Sequence, residues 1–568
     1  MYMVRDGKSG FYIINSSFHV LWHVINFFWY VFMYSPANLS LFRSPENLYS
    51  PSGFMDYWIA GFLVLTAGVL LLSWLWFRLT NSKTRNEDKQ EESEKKKGMI
   101  PKGSLGWPVI GETLTFIACG YSSRPVSFMD KRKSLYGKVF KTNIIGTPII
   151  ISTDAEVNKV VLQNHGNTFV PAYPKSITEL LGENSILSIN GAHQKRLHTL
   201  ISAFLRSPHL KERITRDIEA SVALTLASWS QLPLVHVQDE IKKMTFEILV
   251  KLLMSISPGE DLDILKLEFQ EFIKGLICIP IKFPGTRLYK SLKGLTFELT
   301  MQAKERLIKI VKKVVEERQE ATTESTNCPA NDAVDVLLRD VNDGGCSDKQ
   351  SHPLDFVSGK IVEMMIPGEE TMPTAMTLAV KFLSDNPVAL AKLVEENMEM
   401  KRRKLESGKE YGWSDYMSLS FTQNVINETL RMANIINGVW RKALKDVEIK
   451  GYLIPKGWCV LASFISVHMD EDIYENPYQF DPWRWDRING TANSNICFTP
   501  FGGGQRLCPG LELSKLEISI FLHQLVTRFS WTAEKDEIVS FPTVKMKRRL
   551  PIRVTPVERT SPISVEDH

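Results

Sequence analysis

The stretch Phe501-Gly-Gly-Gly-Gln-Arg-Leu-Cys-Pro-Gly510 decides how the rest of this chain is interpreted. In it, Cys508 stands two residues after Arg506, and the apolar run 511–527 that follows predicts a long helix. Glycines have no Cβ, so the backbone of the loop can turn sharply and approach a flat ligand closely. We expect the N–H groups at the start of the helix to favour the thiolate form of the cysteine. The arginine adds a permanent cation whose donors suit a carboxylate.

A thiolate, a carboxylate-binding arginine and space for a flat ligand describe a haem site with sulfur as the axial ligand. The stretch resembles the haem-binding signature of the cytochrome P-450 family, Phe-x-x-Gly-x-Arg-x-Cys-x-Gly. Its fixed positions are matched at Phe501, Gly504, Arg506, Cys508 and Gly510. The alternative, a buried structural cysteine, needs neither the glycines nor the arginine. The resemblance implies haem b, with Cys508 as the metal ligand and the other four residues as cofactor-binding positions.

Composition limits the class of protein. The chain has 568 residues, 44% of them hydrophobic, and 68 Lys and Arg balance 64 Asp and Glu to a net charge of +4. This balance gives no basic field of the kind that nucleic-acid binding needs. The seven cysteines are scattered and form no Cys-x-x-Cys pair, so they indicate neither a disulfide framework nor a zinc site. We therefore expect the main body in a reducing compartment.

The run 57–77 is uncharged, mostly apolar and long enough to cross a bilayer as a helix. Basic residues follow it, and the positive-inside rule then places the rest of the chain in the cytoplasm. A cleaved signal peptide is the alternative, but the run is too long and too far from the start. Within the N-terminal extension 1–56, the uncharged segment 11–34 is a second span, a re-entrant segment or a poorly ordered extension. We prefer the extension, because families with this catalytic core usually have one anchor.

The charged segment 78–97 predicts a solvated linker. Pro101 and Pro108 then alternate with glycines, as in the hinge of microsomal members of the family. Residues 98–556 form the predicted haem-thiolate monooxygenase domain, and 557–568 a C-terminal tail. The expected fold is mainly α with minor β sheets, the cytochrome P-450 fold. Helical periodicity is found at 240–255, 262–277, 302–320, 356–383 and 387–404, and β-branched runs on both sides of Gly146 predict a small sheet. Segments 447–454 and 458–464 predict two paired strands joined through 455–457.

Within the helical pattern 356–383, the sequence resembles the family's oxygen-activation motif Ala/Gly-Gly-x-Asp/Glu-Thr, with Gly368, Glu370 and Thr371 in register. Pro367 replaces the usual small residue. Together with Pro373 it removes helix hydrogen bonds and favours a kink. The resemblance implies that the glutamate relays protons and the threonine donates a hydrogen bond during oxygen activation. A surface acidic patch at an incidental helix break is the alternative.

Segment 191–200 stands where the family usually carries Trp-x-x-x-Arg, which binds a haem propionate. This chain departs from that pattern, because Gln194 and His198 fall at the two positions. By the resemblance, Arg196 or His198 contacts a propionate. The alternative is a solvated basic face of a helix.

Glu428 and Arg431 form a Glu-x-x-Arg pair on one helical face, and Arg484 follows at the family's spacing. The resemblance implies that these three form a buried structural triad that holds the haem loop. An ordinary surface ion pair is the alternative. Between them, Arg441 is implied as another propionate ligand. Cys497 competes for the iron, but it lacks a following glycine and helix start, so we expect it to serve packing.

Longer phrases resemble a narrower group. Segments 103–113, 169–175 and 500–510 are similar to those of plant sterol-hormone hydroxylases, and 364–373 most resembles the rotundifolia-type brassinosteroid enzymes. The similarity runs from about residue 98 to 556. It implies hydroxylation at carbon 23 of 22-hydroxylated campestanol-type steroids, such as 3-epi-6-deoxocathasterone. The apolar segment 272–281 is either a membrane-facing entrance or an ordinary core helix end.

No flavin or nicotinamide fingerprint is visible, so electrons must come from a partner. The resemblance implies an NADPH–haemoprotein reductase that docks near the cysteine loop. It also implies an endoplasmic-reticulum membrane protein with one span, which we expect to be monomeric. Other readings are a sibling monooxygenase acting at carbon 22 or on another plant terpenoid, a haem-thiolate isomerase or dehydratase, and a membrane-tethered haem sensor without turnover.

Overall fold

The computed structural model of the chain describes residues 98–557, apart from 108–109, 145, 164–167, 174, 183, 277–286, 323–328, 344–351, 489–493 and 542. The predicted N-terminal extension, transmembrane segment and charged linker lie outside the described residues, as does the tail from residue 558 onward. Among the helices that the structure describes, none combines the length and apolar character that a bilayer crossing requires.

Helices make up most of the described chain and are numbered α1 to α18 in chain order. The first nine are Thr113–Gly120, Ser127–Tyr136, Ala155–Gln163, Lys175–Leu181, Gly191–Arg206, Pro208–Trp229, Val237–Met254, Glu260–Leu276 and Arg287–Thr322. The remaining helices, α10 to α18, are Ala333–Asn342, Pro353–Asp385, Pro387–Ser407, Trp413–Met417, Ser420–Ala433, Phe464–His468, Arg484–Ile488, Ser494–Cys497 and Leu511–Arg528.

The strands are short and form small sheets. They are, from β1 to β12, Val139–Ile144, Thr147–Ser152, Phe169–Pro171, Val235–His236, Gly438–Ala443, Val447–Ile449, Tyr452–Ile454, Cys459–Ser463, Phe529–Ala533, Ile538–Val539, Lys545–Met546 and Pro551–Pro556. One sheet has five strands in the order β1-β2-β8-β5-β3, with β2 parallel to β8 and the other pairs antiparallel. A second sheet has the order β4-β12-β9, and β6-β7 and β10-β11 are hairpins.

The predicted helices and the first hairpin are found. Helix α11 extends the predicted 356–383 by a few residues at each end, and β1 pairs with β2 across Gly146, whose φ is +72°. One strand assignment was wrong. We expected 447–454 to pair with 458–464, but 447–454 is itself the β6-β7 hairpin, and β8 pairs with β2 and β5. Lys450 and Gly451 both adopt positive φ and close this hairpin.

Helix α11 lies at the centre of the helical body and packs against α7, α9, α10, α12, α14 and α18. Helix α18 is apolar on all sides from Leu516 to Val526, with Glu517, Ser519, His523 and Gln524 as its polar members, and every residue of this run is buried. A helix that is apolar all round is typical of a core element. Phe272 and Ile273 at the end of α8 are also buried, which favours the core reading for this part of the apolar segment 272–281.

Two histidines are sealed inside this body. His468 accepts the Thr499 N–H at Nε2 (3.1 Å), so its Nδ1 carries the proton and donates to Asn434 Oδ1 (2.8 Å). His523 Nδ1 lies 3.0 Å from Asn397 Oδ1. Burial lowers the pKa of each histidine to about 3, so both are neutral in the folded protein.

These histidines predict acid sensitivity. Their pKa is depressed in the folded state, so as pH falls below about 6.5 the unfolded chain binds protons that the folded chain cannot. Stability is therefore lost between pH ~6.5 and ~3, by up to about 1.4 kcal/mol per pH unit for each histidine. We expect His523→Gln to be less stable than the parent at pH 7, with the gap narrowing on acidification. Urea unfolding at a series of pH values measures this gap, and a constant gap would contradict the prediction.

Candidate active site

A cavity lies between the Cys508 loop and helix α11, where a flat ligand was expected. Cys508 and Arg506 line it on one side, and Gly368 and Thr371 line it on the other. Residues of α5, α7 and α18 complete its wall, most of them apolar. The structure thus brings the predicted cysteine loop and the predicted oxygen-activation motif to one site.

The backbone of the cysteine loop is tightly folded. The Cys508 N–H donates to the Phe501 carbonyl (3.1 Å), which closes the loop on itself. Gly504 has φ +63°, and a Cβ there would lie 2.2 Å from the Leu162 carbonyl oxygen. Only glycine fits this position. Gly510 lines the cavity in an ordinary conformation, and a Cβ there would meet nothing closer than 3.8 Å.

The protein does not by itself favour the thiolate form of Cys508. Burial raises the pKa of this thiol, and the hydrogen bond from the Gly510 N–H only partly offsets that effect. The expectation that the helix start would ionise the cysteine was therefore wrong for the polypeptide alone. A bound metal ion deprotonates a coordinating thiol directly, so ionisation would accompany metal binding. Cys497 does not line the cavity and ends the short helix α17.

Two cations line the cavity without an anion among the described residues, the buried Arg441 and the half-buried Arg506. Arg441 donates to the Trp440 carbonyl (3.0 Å), and Arg506 donates to the Ile189 carbonyl and Asn190 Oδ1. Neither forms an ion pair with a carboxylate among the described residues. Burial, with repulsion from Arg441, lowers the pKa of Arg506 to about 10. Two unpaired guanidinium groups beside a thiol fit the two propionates and the iron of haem b.

The strand β5 explains why Arg441 points into the site. Successive side chains on a strand point to opposite faces. Val439 and Arg441 accordingly line the site, whereas Trp440 between them lines a second cavity on the other face of the strand.

Helix α5 contacts two backbone carbonyls of the cysteine loop. Gln194 donates to the Gln505 carbonyl (2.9 Å), and His198 Nε2 lies 2.7 Å from the Leu507 carbonyl. Both residues line the cavity. Arg196 does not line it: this arginine is nearly half exposed and pairs with Asp340 Oδ1 at 2.6 Å. Of the two suggested propionate contacts on this helix, the structure places only His198 at the cavity.

Glu370, the acid of the predicted oxygen-activation motif, shares a lysine with its neighbour Glu369, and the sequence did not reveal this lysine. Lys242 on α7 contacts Glu370 Oε1 (2.7 Å) and Glu369 Oε1 (3.1 Å). Burial opposes its charge, but the two carboxylates outweigh this and raise the pKa of Lys242. Burial raises the pKa of Glu369, whose Oε2 is buried without a hydrogen-bond partner. Two adjacent acids in one motif were the signal that could have pointed to this three-charge cluster.

Thr371 lines the cavity, and its Oγ1 donates to the Pro367 carbonyl at 2.7 Å. Helix α11 continues as an α-helix through both Pro367 and Pro373, so the expected local opening does not interrupt the helix. Each proline still lacks the N–H that would bond the carbonyl four residues earlier.

Glu428, Arg431 and Arg484 meet in the interior, as the resemblance implied. Glu428 accepts two hydrogen bonds from Arg431 (2.8 and 2.9 Å) and one from Arg484 (3.2 Å), and all three side chains are almost fully buried. Arg431 also donates to the His468 carbonyl (2.8 Å). Through the bond between His468 and Thr499, this cluster holds the chain that enters the cysteine loop.

Sequence reasoning also missed Glu517 on α18. This residue lines the cavity, its Oε1 is buried without a hydrogen-bond partner, and burial raises its pKa to about 8. It is therefore protonated at neutral pH. An acid inside the mainly apolar run 516–522 was the available signal.

These features define a haem-thiolate enzyme, and the family comparison agrees. A model of the cytochrome P450 family matches residues 101–554. The chain belongs to the cytochrome P450 family. Membership implies haem b as the cofactor and monooxygenase chemistry that uses electrons from NADPH, supplied by a reductase.

Relatives from Arabidopsis thaliana are similar along most of the chain. The 3-epi-6-deoxocathasterone 23-monooxygenase CYP90C1 is 85% identical over 538 residues, which cover 94% of this chain and 100% of the relative. The 3-epi-6-deoxocathasterone 23-monooxygenase CYP90D1 is 51% identical, covering 83% of this chain and 92% of the relative. A 3beta,22alpha-dihydroxysteroid 3-dehydrogenase is 42% identical, covering 80% and 92%.

Among solved structures, retinoic acid bound cyanobacterial CYP120A1 matches with a TM-score of 0.66 and 25% sequence identity. The match covers 81% of this chain and 100% of that chain. This likeness agrees with the mainly helical cytochrome P450 fold that the sequence predicted.

The buried triad predicts a large loss of stability in Glu428→Gln. The substitution leaves Arg431 and Arg484 buried without a counter-charge, which destabilises by about 3–5 kcal/mol. Urea unfolding and the haem content of the purified protein measure the effect. Glu399→Gln is the matched control, because Glu399 forms an i,i+3 ion pair with Arg402 on an exposed helix surface. Solvent screens this pair, so its loss should change the free energy of unfolding far less than Glu428→Gln does. Equal losses in the two variants would contradict the assigned role.

The unpaired arginines predict weaker haem retention in Arg441→Leu. Removing one charged donor to a propionate should speed haem release about 10-fold or more, because hydrogen bonds to charged groups are worth about 1.5–3 kcal/mol. Arg441→Lys keeps the cation and should lie between the parent and the leucine variant. Transfer of haem to an excess of apomyoglobin gives the rate. Unchanged release from Arg441→Leu would remove this residue from the cofactor site.

Proposed function

We propose that this cytochrome P450 hydroxylates carbon 23 of 22-hydroxylated campestanol-type steroids such as 3-epi-6-deoxocathasterone. The observation that carries the proposal is the single cavity that joins Cys508 to Thr371, in a chain 85% identical to a monooxygenase of that name. The largely apolar wall suits a lipophilic substrate. Bound haem would supply the oxygen chemistry, in which one oxygen atom enters a C–H bond and the other leaves as water.

The chain's own residues hold the cofactor and move protons. Cys508 would ligate the iron, and Arg441, Arg506 and His198 would bind the propionates, since all four residues line the cavity. Phe501, Gly504 and Gly510 shape the loop that receives it. Glu428, Arg431 and Arg484 would hold that loop in place through His468 and Thr499.

Protons reach the site through the acid pair on α11. Glu370 is partly exposed and bonded to Lys242, so it can exchange protons with solvent. Thr371 is the next residue in the chain and lines the cavity. Its hydroxyl would donate a hydrogen bond there. The buried Glu369 contacts the same lysine, and burial raises its pKa.

Electrons come from an NADPH–haemoprotein reductase, which we place near the cysteine loop. We further propose one membrane span at 57–77, a cytoplasmic catalytic domain at the endoplasmic reticulum, and a monomer. The support is the sequence pattern of the N-terminal hundred residues together with the relatives.

The substrate is tested with membranes that contain the protein and a plant reductase. We expect a 22-hydroxylated 3-hydroxysteroid to gain one oxygen at carbon 23, dependent on NADPH, as identified by mass spectrometry and NMR of the product. A substrate without the 22-hydroxyl distinguishes hydroxylation at carbon 22. Loss of two hydrogens without gain of oxygen would instead indicate oxidation at the 3-position, the activity named for the 42% identical relative. If no substrate gives a product, the proposed hydroxylation is contradicted and the alternative of a haem sensor without turnover is favoured.

Thr371→Ala should uncouple turnover. We expect NADPH consumption to continue while steroid product falls by 10-fold or more and hydrogen peroxide rises, because general acid–base catalysis contributes about 10²- to 10⁴-fold. Thr377→Ala is the matched control, since Thr377 is on the same helix and also bonds the carbonyl four residues earlier, but it does not line the cavity. Unchanged coupling in Thr371→Ala would refute the proton-donor role.

A further inference from the structure

Glu363 lies in the wall of the same cavity, two helical turns before Thr371 on α11. Its side chain is only 8% exposed. The neighbouring wall consists mainly of apolar side chains, among them Leu197, Ile201 and Met364. A carboxylate in such a wall needs a partner, because an unpaired buried charge is strongly destabilising.

One carboxylate oxygen has its partners within the protein. Oε2 accepts the Ile186 N–H at 2.7 Å and lies 3.2 Å from Lys360 Nζ. Lys360 also donates to the Asn184 carbonyl. These bonds fix the orientation of the glutamate and join α11 to segment 184–187.

The other oxygen has no such role. Oε1 of Glu363 accepts no hydrogen bond from the described residues, and it is not among the side-chain atoms sealed from solvent. Glu363 lines the cavity. The accessible oxygen of this rigidly held side chain is therefore available to accept a hydrogen bond from a ligand there.

Glu363 offers a second free acceptor. In an α-helix its backbone carbonyl would bond the N–H of residue 367, but Pro367 has none. Both residues line the cavity. An accessible carboxylate oxygen and a carbonyl that lacks its usual helical partner suit a hydroxyl donor, because a hydroxyl can give its proton to either of them.

We propose that Glu363 recognises a hydroxyl group at the end of the steroid remote from the oxidised carbon. This inference rests on the proposed steroid substrate. Eight residues separate Glu363 from Thr371, which is about 12 Å along the helix axis. The 22-hydroxyl is bonded to the neighbour of carbon 23 and must lie near Thr371, so it cannot reach Glu363. The ring hydroxyl at carbon 3 lies at the opposite end of the molecule and matches this separation.

A purely structural role for Glu363 makes a different prediction. The hydrogen bond between Glu363 and segment 184–187 uses only Oε2, so Oε1 is not needed for it. A residue that only clamps this segment would affect all ligands alike, whereas a recognition residue affects only those that carry the hydroxyl. The two roles are separated by combining variants of the residue with ligands that have or lack that group.

The experiment measures equilibrium binding to the full-length, haem-loaded protein by the absorption change on titration. The ligands are a 22-hydroxylated steroid with a 3-hydroxyl and its 3-deoxy counterpart. In the parent, loss of the hydroxyl should weaken binding roughly 10- to 100-fold. In Glu363→Leu the two ligands should bind within about 3-fold of each other. In Glu363→Gln the amide oxygen takes the place of Oε2, which accepts the Ile186 N–H, and the NH2 group replaces Oε1. This NH2 group can donate to the oxygen of the hydroxyl, so the variant should retain most of the preference, which guards against a folding defect in the leucine variant.

Lys304→Met is the matched control. Lys304 donates to the Leu180 and Leu181 carbonyls, close to the same segment, but does not line the cavity. We expect this variant to keep the full preference for the 3-hydroxyl. If Glu363→Leu weakens both ligands equally, or if the parent shows no preference, the inference is overturned.

Product analysis separates this inference from the proposed function. If the ligand preference depends on Glu363 but no carbon-23 product forms, the recognition site stands and the proposed reaction fails. If carbon 23 is hydroxylated but the preference does not depend on Glu363, the reaction stands and the recognition site is refuted.

Discussion

The structure depends on one buried carboxylate, Glu428, which shares its charge with Arg431 and Arg484 away from water. Such a cluster is tolerable only when each charge is hydrogen-bonded, and breaking it leaves an uncompensated charge in the core. Here the bonds continue to the carbonyl of His468, and through its ring to Thr499, just before the cysteine loop. The loop that carries Cys508 is thus supported by an ion cluster that does not line the cavity.

The cavity carries the opposite electrostatic arrangement. Arg441 is buried and Arg506 is half-buried, and neither has a described anion, which is unfavourable for the polypeptide alone. Burial also raises the pKa of the Cys508 thiol. A dianionic cofactor with a metal at its centre would relieve both problems, since it would pair the two cations and favour the ionised sulfur. Removing these unfavourable interactions would contribute to the free energy of haem binding.

The sequence predicted whatever has a local signal. Hydrophobic periodicity predicted the long helices, and Gly146 predicted the turn between β1 and β2. The fixed positions around Cys508 predicted the cysteine loop. What it missed depends on contacts between distant segments. Lys242 and Glu370 are far apart in the chain, and so are His468 and Thr499. The strand partners of 459–463 were assigned wrongly for the same reason, because local alternation does not say which strands become neighbours.

The two prolines of α11 show where local preference gives way to function. Proline inside a helix is unfavourable by about 3 kcal/mol, so two of them in the central helix must be held in place by the surrounding packing. Pro367 frees the carbonyl of Glu363, at the cavity, and Pro373 frees that of Glu369, in the acid pair bonded to Lys242. The helix thus lacks one backbone hydrogen bond beside the cavity and another beside the acid pair. Conflicts of this kind between local propensity and overall fold are expected at functional sites.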